Sequence, residues 1–200
     1  RSDLELLFEP GVLVLAKRGE FKGGGDSLFN AADCENIAIR GYGATLRMWK
    51  KDYQNPPYEK AEWRMGFAIN GCKNVLIEGV RVESTGGDAF YIGATKAHRW
   101  CEDVIIRNCV ALDHHRQGIS IITAQDLLIE NCEFSGTSGT APQAGIDFEP
   151  NRADERLVDC VLRNCVFRNN AGAAMQVYLK PLDATSQPIS IRFENCVAGV

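Results

Sequence analysis

One short pattern recurs along this chain and constrains its fold more than any other feature. It reads Asn36-Ile37-Ala38-Ile39-Arg40-Gly41, then Asn74-Val75-Leu76-Ile77-Glu78-Gly79, then Asp103-Val104-Ile105-Ile106-Arg107-Asn108-Cys109. It returns as Asp126-Leu127-Leu128-Ile129-Glu130-Asn131-Cys132, Cys160-Val161-Leu162-Arg163-Asn164-Cys165 and Ser190-Ile191-Arg192-Phe193-Glu194-Asn195-Cys196. Aligning the copies puts Ile39, Ile77, Ile106, Ile129, Leu162 and Phe193 at one position, separated by 38, 29, 23, 33 and 31 residues. Periods of this size mark a solenoid, in which each repeat buries its apolar face only against its neighbours. Apolar and polar residues alternate within each copy, the two-residue period of a strand.

A second strand family lies between the copies: Phe67-Ala68-Ile69, Ala89-Phe90-Tyr91, Ile119-Ser120-Ile121, Ile146-Asp147-Phe148 and Met175-Gln176-Val177. About three short strands per coil make an all-β parallel β-helix of about six coils, read as a single domain over residues 1–200. Identical positions in neighbouring coils then stack roughly 4.8 Å apart. Asn108, Asn131, Asn164 and Asn195 are expected to form a ladder, because asparagine tolerates left-handed backbone and its amide bonds to its copy above. Cys109, Cys132, Cys165 and Cys196 follow as an inward row, and Cys34, Cys72 and Cys101 share another position. Stacked side chains point in parallel, poor geometry for a disulfide, so free thiols are favoured over bridges. The spacing lacks C-x-x-C pairs and the chain has three histidines, which argues against a zinc site.

Composition bears mainly on partners. The 200 residues are 45% hydrophobic and 24% charged with a net charge of −4, enough for a core and too acidic to suggest nucleic acid. No apolar run is long enough for a membrane-crossing helix, and no membrane partner is expected. Arg1–Pro10 carries four charges and does not read as a signal peptide. The chain stops directly after a rung, so it reads as a piece of a longer solenoid or as one with an exposed last coil.

With these features the sequence resembles the right-handed parallel β-helix proteins of the pectate-lyase-like superfamily. The resemblance rests on Phe8-Glu9-Pro10-Gly11-Val12, the Asn36–Ala44 segment and the Asn-Cys rungs. More particular are Glu62-Trp63-Arg64, Gly86-Gly87-Asp88, Arg116-Gln117-Gly118-Ile119-Ser120 and Gly145-Ile146-Asp147-Phe148-Glu149-Pro150-Asn151, similar to a bacterial branch related to glycoside hydrolases and polysaccharide lyases. The branch usually shows Gly-Gly-Asp-Gly where this chain has Ala89, a position expected to face inward. The resemblance implies an extracellular or periplasmic, carbohydrate-active protein. It does not choose among activities, because the superfamily hosts several on one scaffold.

The second strand family is where chemistry is expected. The alternation is read as placing Ala89, Tyr91, Ile119, Ile121, Ile146, Phe148, Met175 and Val177 inside. Three outward columns result: Asp88 with Gly118, Gly145 and Ala174; Phe90 with Ser120, Asp147 and Gln176; Ile92 with Ile122, Glu149 and Tyr178. Asp147 and Glu149 share one face of one strand about 7 Å apart, and Asp88 lies about 10 Å along the axis. Such spacing suits the paired carboxylates of a glycosidase, with Asp147, Glu149 and Asp88 as the catalytic acids. His115, Arg116, Gln117, Trp63, Arg64, Tyr178 and Lys180 are the expected substrate contacts, Arg116 and Lys180 being able to meet an acidic sugar. The 47–65 insertion, rich in aromatic residues, is expected to wall a cleft or to pack as a flap over apolar rungs. Hydrolysis of a polysaccharide is favoured, because carboxylates outnumber bases on this face. A lyase acting on a uronate, or a non-catalytic glycan-binding or structural β-helix, remains open. Carboxylate clusters can hold Ca²⁺, but no calcium-loop motif occurs and no cofactor is expected. The sequence leaves the oligomeric state open.

Overall fold

The computed structural model describes residues 1–199. Short parallel strands coil into three sheets joined by tight corners. The first sheet has seven strands, from Leu4–Leu7 and Glu35–Arg40 through Cys101–Arg107 to Ile191–Glu194. The second also has seven, from Leu13–Leu15 to Val197–Ala198. The third has six: Phe29–Ala32, Phe67–Asn70, Phe90–Gly93, Ile119–Ile121, Ile146–Phe148 and Met175–Val177. Among the described residues the only helical element is a single 3₁₀ turn, Asp52–Gln54.

The vertical register is the one the repeat predicts. Ile39 pairs with Ile77, then Ile106, Ile129, Leu162 and Phe193 in an unbroken row. Leu6 extends the row below Ile39. Inward rows from all three sheets meet in one core. Aromatic rings stack along the axis as their strands do: Phe29, Phe67 and Phe90 at 5.0 and 5.5 Å, and Phe134 with Phe167 at 5.4 Å. Deleting such a buried ring costs about 3–5 kcal/mol.

The corners follow from backbone chemistry. Asn108, Asn131, Asn164 and Asn195 all take left-handed conformation, with φ of 55°, 54°, 53° and 51°. Their amides ladder: Asn131 donates to Asn108 at 3.3 Å and Asn164 donates to Asn131 at 3.2 Å. A second left-handed row, which the repeat contains but which was not anticipated as a corner, runs through Asn36, Asn74, Asp103, Asp126 and Asp159. The eight cysteines are free thiols, six of them buried.

The 47–65 segment leaves the coil and folds back on it. Tyr53 is buried with Ala16 and Met48 in a small second core, with Phe21, Leu28, Trp49 and Tyr58 against it. Its return path lies flat on a corner, where Arg64 bridges antiparallel to Gly86. A side chain at Gly87 would sit 2.7 Å from the Glu62 carbonyl, and one at Gly86 would sit 2.6 Å from the Tyr53 ring. The Gly86-Gly87 pair is therefore a docking surface for the insertion.

Candidate functional site

The site is built on the outer face of the third sheet. Ile146 and Phe148 point into the core, so Asp147 between them points out. Its row holds Tyr91, Ser120 and Gln176. The expected columns are thus displaced by one residue in one strand. Phe90 and Ile92 face the core, Tyr91 faces out beside Ser120, and Asp88 is level with Gln117 rather than Gly118. Phe90, Tyr91 and Ile92 are all apolar, so alternation gave no parity there, and a shift of one turns every side chain over. Ala89 belongs to the core, as expected.

Arg116 organises the cluster. It donates through Nη2 to both oxygens of Glu149 at 2.7 and 2.9 Å. Its Nη1 lies 3.4 Å from Asp88 Oδ2 and 3.2 Å from Ser120 Oγ, and its Nε lies 3.9 Å from Glu62. One guanidinium thus serves three carboxylates. Asp147 is held from both sides along the axis: Gln117 and Gln176 each donate to its Oδ2 at 3.0 Å. Gln117 is itself fixed, because its Oε1 accepts the Ala144 N–H at 2.7 Å. Asp88 and Asp147 are completely buried, and Oδ1 of each has no hydrogen-bond partner. Such an oxygen is well suited to carry a proton. Burial pushes Asp88 up to about 7, with Arg116 opposing. Burial, with the adjacent Glu149 charge behind it, pushes Asp147 up to about 7.

Above the cluster opens a cleft of about 330 Å³. Glu149, Arg116, Tyr91 and Trp63 line it together with Asn30, Asn70 and Asn151. The insertion packs against the coil through Tyr53, and its Trp63, 54% exposed, lines the cleft. Tyr91 and the three asparagines were missed as site residues. A correct strand parity exposes Tyr91; the asparagines converge from separate coils and carry no local signal.

Several expected contacts change role. Arg64 is fully buried and does not face the cleft. It donates to the backbone carbonyls of Phe21, Lys22 and Glu59 and lies beside the Tyr53 ring, so it ties the insertion down. His115 is buried, its Nε2 within 2.9 Å of Thr140 Oγ1. The loop carrying Thr140 closes over it through Gly139, where a side chain would strike the imidazole. Burial lowers the His115 pKa, and the ring does not line the cleft. Gln117 is buried and donates to Asp147. Tyr178 and Lys180 are exposed beyond the strand Met175–Val177. Among the described residues neither side chain bonds to the cluster, so the sheet alone does not bring them into it.

The chain matches the right handed beta helix region family over residues 60–198. It belongs to that family. Two curated relatives come from Bacillus subtilis strain 168. The SPbeta prophage-derived uncharacterized protein YorA is 27% identical over 98% of this chain and 34% of its own length. The uncharacterized protein YclG is 31% identical over 87% of this chain and 32% of its own. The chain therefore spans about a third of the curated relatives it matches. Among solved structures it is similar to tailspike protein gp49 of the Acinetobacter baumannii bacteriophage Fri1, a capsular polysaccharide depolymerase. The TM-score is 0.55 at 20% identity over 82% of this chain and 29% of that one. It is also similar to a Parabacteroides merdae ATCC 43184 protein provisionally described as a glycosyl hydrolase. There the TM-score is 0.51 at 16% identity over 99% of this chain and 75% of that one. At these identities the structural likeness shows the fold, a right-handed parallel β-helix.

Proposed function

We propose that this β-helix is a carbohydrate-active module whose cleft hydrolyses a glycosidic bond, with Asp147 as proton donor and Glu149 as its partner. One observation carries the reading. Two carboxyl groups two residues apart, one in the strand Ile146–Phe148 and one just past its end, lie in opposite environments: Asp147 is buried and inclined to keep its proton, while Glu149 lines the cleft in the grip of Arg116. A buried carboxyl group inclined to keep its proton, next to an arginine-bound one at the cleft wall, suits general acid catalysis. Asp88 supports Arg116 from beneath and is the third carboxyl group of the set. The solved neighbours described as a depolymerase and a glycosyl hydrolase support a carbohydrate substrate. A polysaccharide of this kind is met outside the cytoplasm, so a secreted or periplasmic location belongs to the same proposal.

The test is hydrolysis of a polysaccharide panel followed by reducing-end release. Asp147→Asn and Glu149→Gln should each lower the rate about 10²–10⁴-fold while the fold is retained. Unchanged turnover in both variants would remove the acids from the mechanism. A product with the ultraviolet absorbance of an unsaturated uronide would replace hydrolysis by elimination. A rate abolished by chelation and restored by Ca²⁺ would reassign the carboxylates to holding a cation. The complete burial of Asp88 and Asp147 favours a second reading, a cleft that binds glycan without cleaving it. Retained glycan binding with no product from the unmodified chain would select it.

A further inference from the structure

We infer that the cleft takes an uncharged glycan and rejects polyuronates, a substrate class that rests on the glycan-site reading above. Charge at and just behind the cleft wall sets this preference. Among the described residues Arg116 is the only basic one that lines it. Its two outer nitrogens are committed: both Nη2 bonds go to Glu149, and Nη1 reaches Asp88 and Ser120. Nε has no hydrogen-bond partner, Glu62 lying 3.9 Å away, but it is buried and out of a ligand's reach. Three carboxyl groups against one guanidinium leave no cation free to receive a sugar carboxylate. An arriving uronate would have to strip Glu149 from Arg116, leaving a half-buried charge without its partner, or lie unpaired beside Glu149. Both are unfavourable. Lys180, the other cation expected to meet an acidic sugar, does not line this cleft.

The remaining surface fits neutral sugars. Asn30, Asn70 and Asn151 offer amide donors and acceptors, and Ser27 and Tyr91 offer hydroxyls. Such groups meet sugar hydroxyls without a net charge. Trp63 stands exposed at the wall, where its ring can cover the apolar face of a pyranose. Specificity then comes from repulsion by Glu149 and Glu62 as well as from attraction by the ring and the amides.

The experiment uses matched pairs that differ only in charge: polygalacturonate, polymannuronate and hyaluronate, each beside its carboxyl-reduced product. Affinity electrophoresis of the full chain measures retention at low salt. The reduced polymers should retain the chain at least about tenfold more strongly than the parents, a difference of about 1.4 kcal/mol. Trp63→Ala should abolish retention by the reduced polymers. Glu62→Gln should narrow the gap, and so should 0.5 M salt, which screens repulsion between exposed charges. Equal or stronger retention by the parent polyuronates overturns the inference while the glycan reading stands. Retention by neither class, with Trp63→Ala without effect, overturns both.

Discussion

Two arrays of charge are stacked along this solenoid, and they behave in opposite ways. On the outside of the first sheet, Arg40, Glu78, Arg107, Glu130, Arg163 and Glu194 share one row, alternating in sign rung by rung. Glu78 is held between Arg40 and Arg107, and Arg163 donates to Glu194 at 2.7 Å. Burial works against the Glu78 charge, but its two arginines outweigh it and lower the pKa. The bond from Arg163 lowers that of Glu194. On the third sheet the same stacking brings three carboxyl groups to one guanidinium under a cleft, and burial raises Asp88 and Asp147. Alternating signs near solvent make a staple. Unequal signs out of solvent make titratable groups available for chemistry.

The comparison breaks most sharply at the two arginines. Arg116→Ala should destabilise the chain by about 3–5 kcal/mol, because Asp88 and Glu149 lose the charge that compensates them. Urea unfolding measures it, and a loss under about 1 kcal/mol would show that the cluster does not depend on its guanidinium.

The pH dependence separates the arrays next. Folded Asp88 and Asp147 keep their protons up to about 7, whereas unfolded aspartate releases its proton near ~3.9. The folded chain binds more protons across that window. Their contribution is therefore complete below about pH 4 and is lost as pH rises toward 7. Glu78 and Glu194 act in the other direction: their contribution is present above the ordinary glutamate range, about 4.3, and fades as pH falls below it. Urea midpoints of Asp147→Asn should decline less between pH 4 and 7 than those of the unmodified chain. Parallel profiles would mean that Asp147 titrates normally.

The smallest effect is expected on the exposed row. Arg163→Ala should cost about 0.2–1 kcal/mol at low salt and less at 1 M salt, with no change in glycan binding. A loss as large as that of Arg116→Ala would erase the distinction between the arrays.

How much of this was legible beforehand differs between the same two regions. In the first sheet most copies are apolar throughout, as in Val75-Leu76-Ile77, but each is bracketed by Asn, Asp or Gly corners and a charged residue at fixed places, and those polar ends set the register from Ile39 to Phe193. In the third sheet Ile146-Asp147-Phe148 announced its outward acid, because a carboxylate between two apolar residues has one sensible direction. Phe90-Tyr91-Ile92 announced nothing, and Tyr91 was turned the wrong way.

The repeat by itself determined the solenoid, its rungs, its asparagine corners and the outward direction of Asp147, since period-two patterning and left-handed corner chemistry act within a few residues. Only the tertiary structure decided that Arg64 anchors the insertion, that His115 lies under a loop, and that Gln117 and Gln176 hold Asp147. Those roles depend on distances between side chains from different coils and from the insertion, and spacing along one strand carries no record of them.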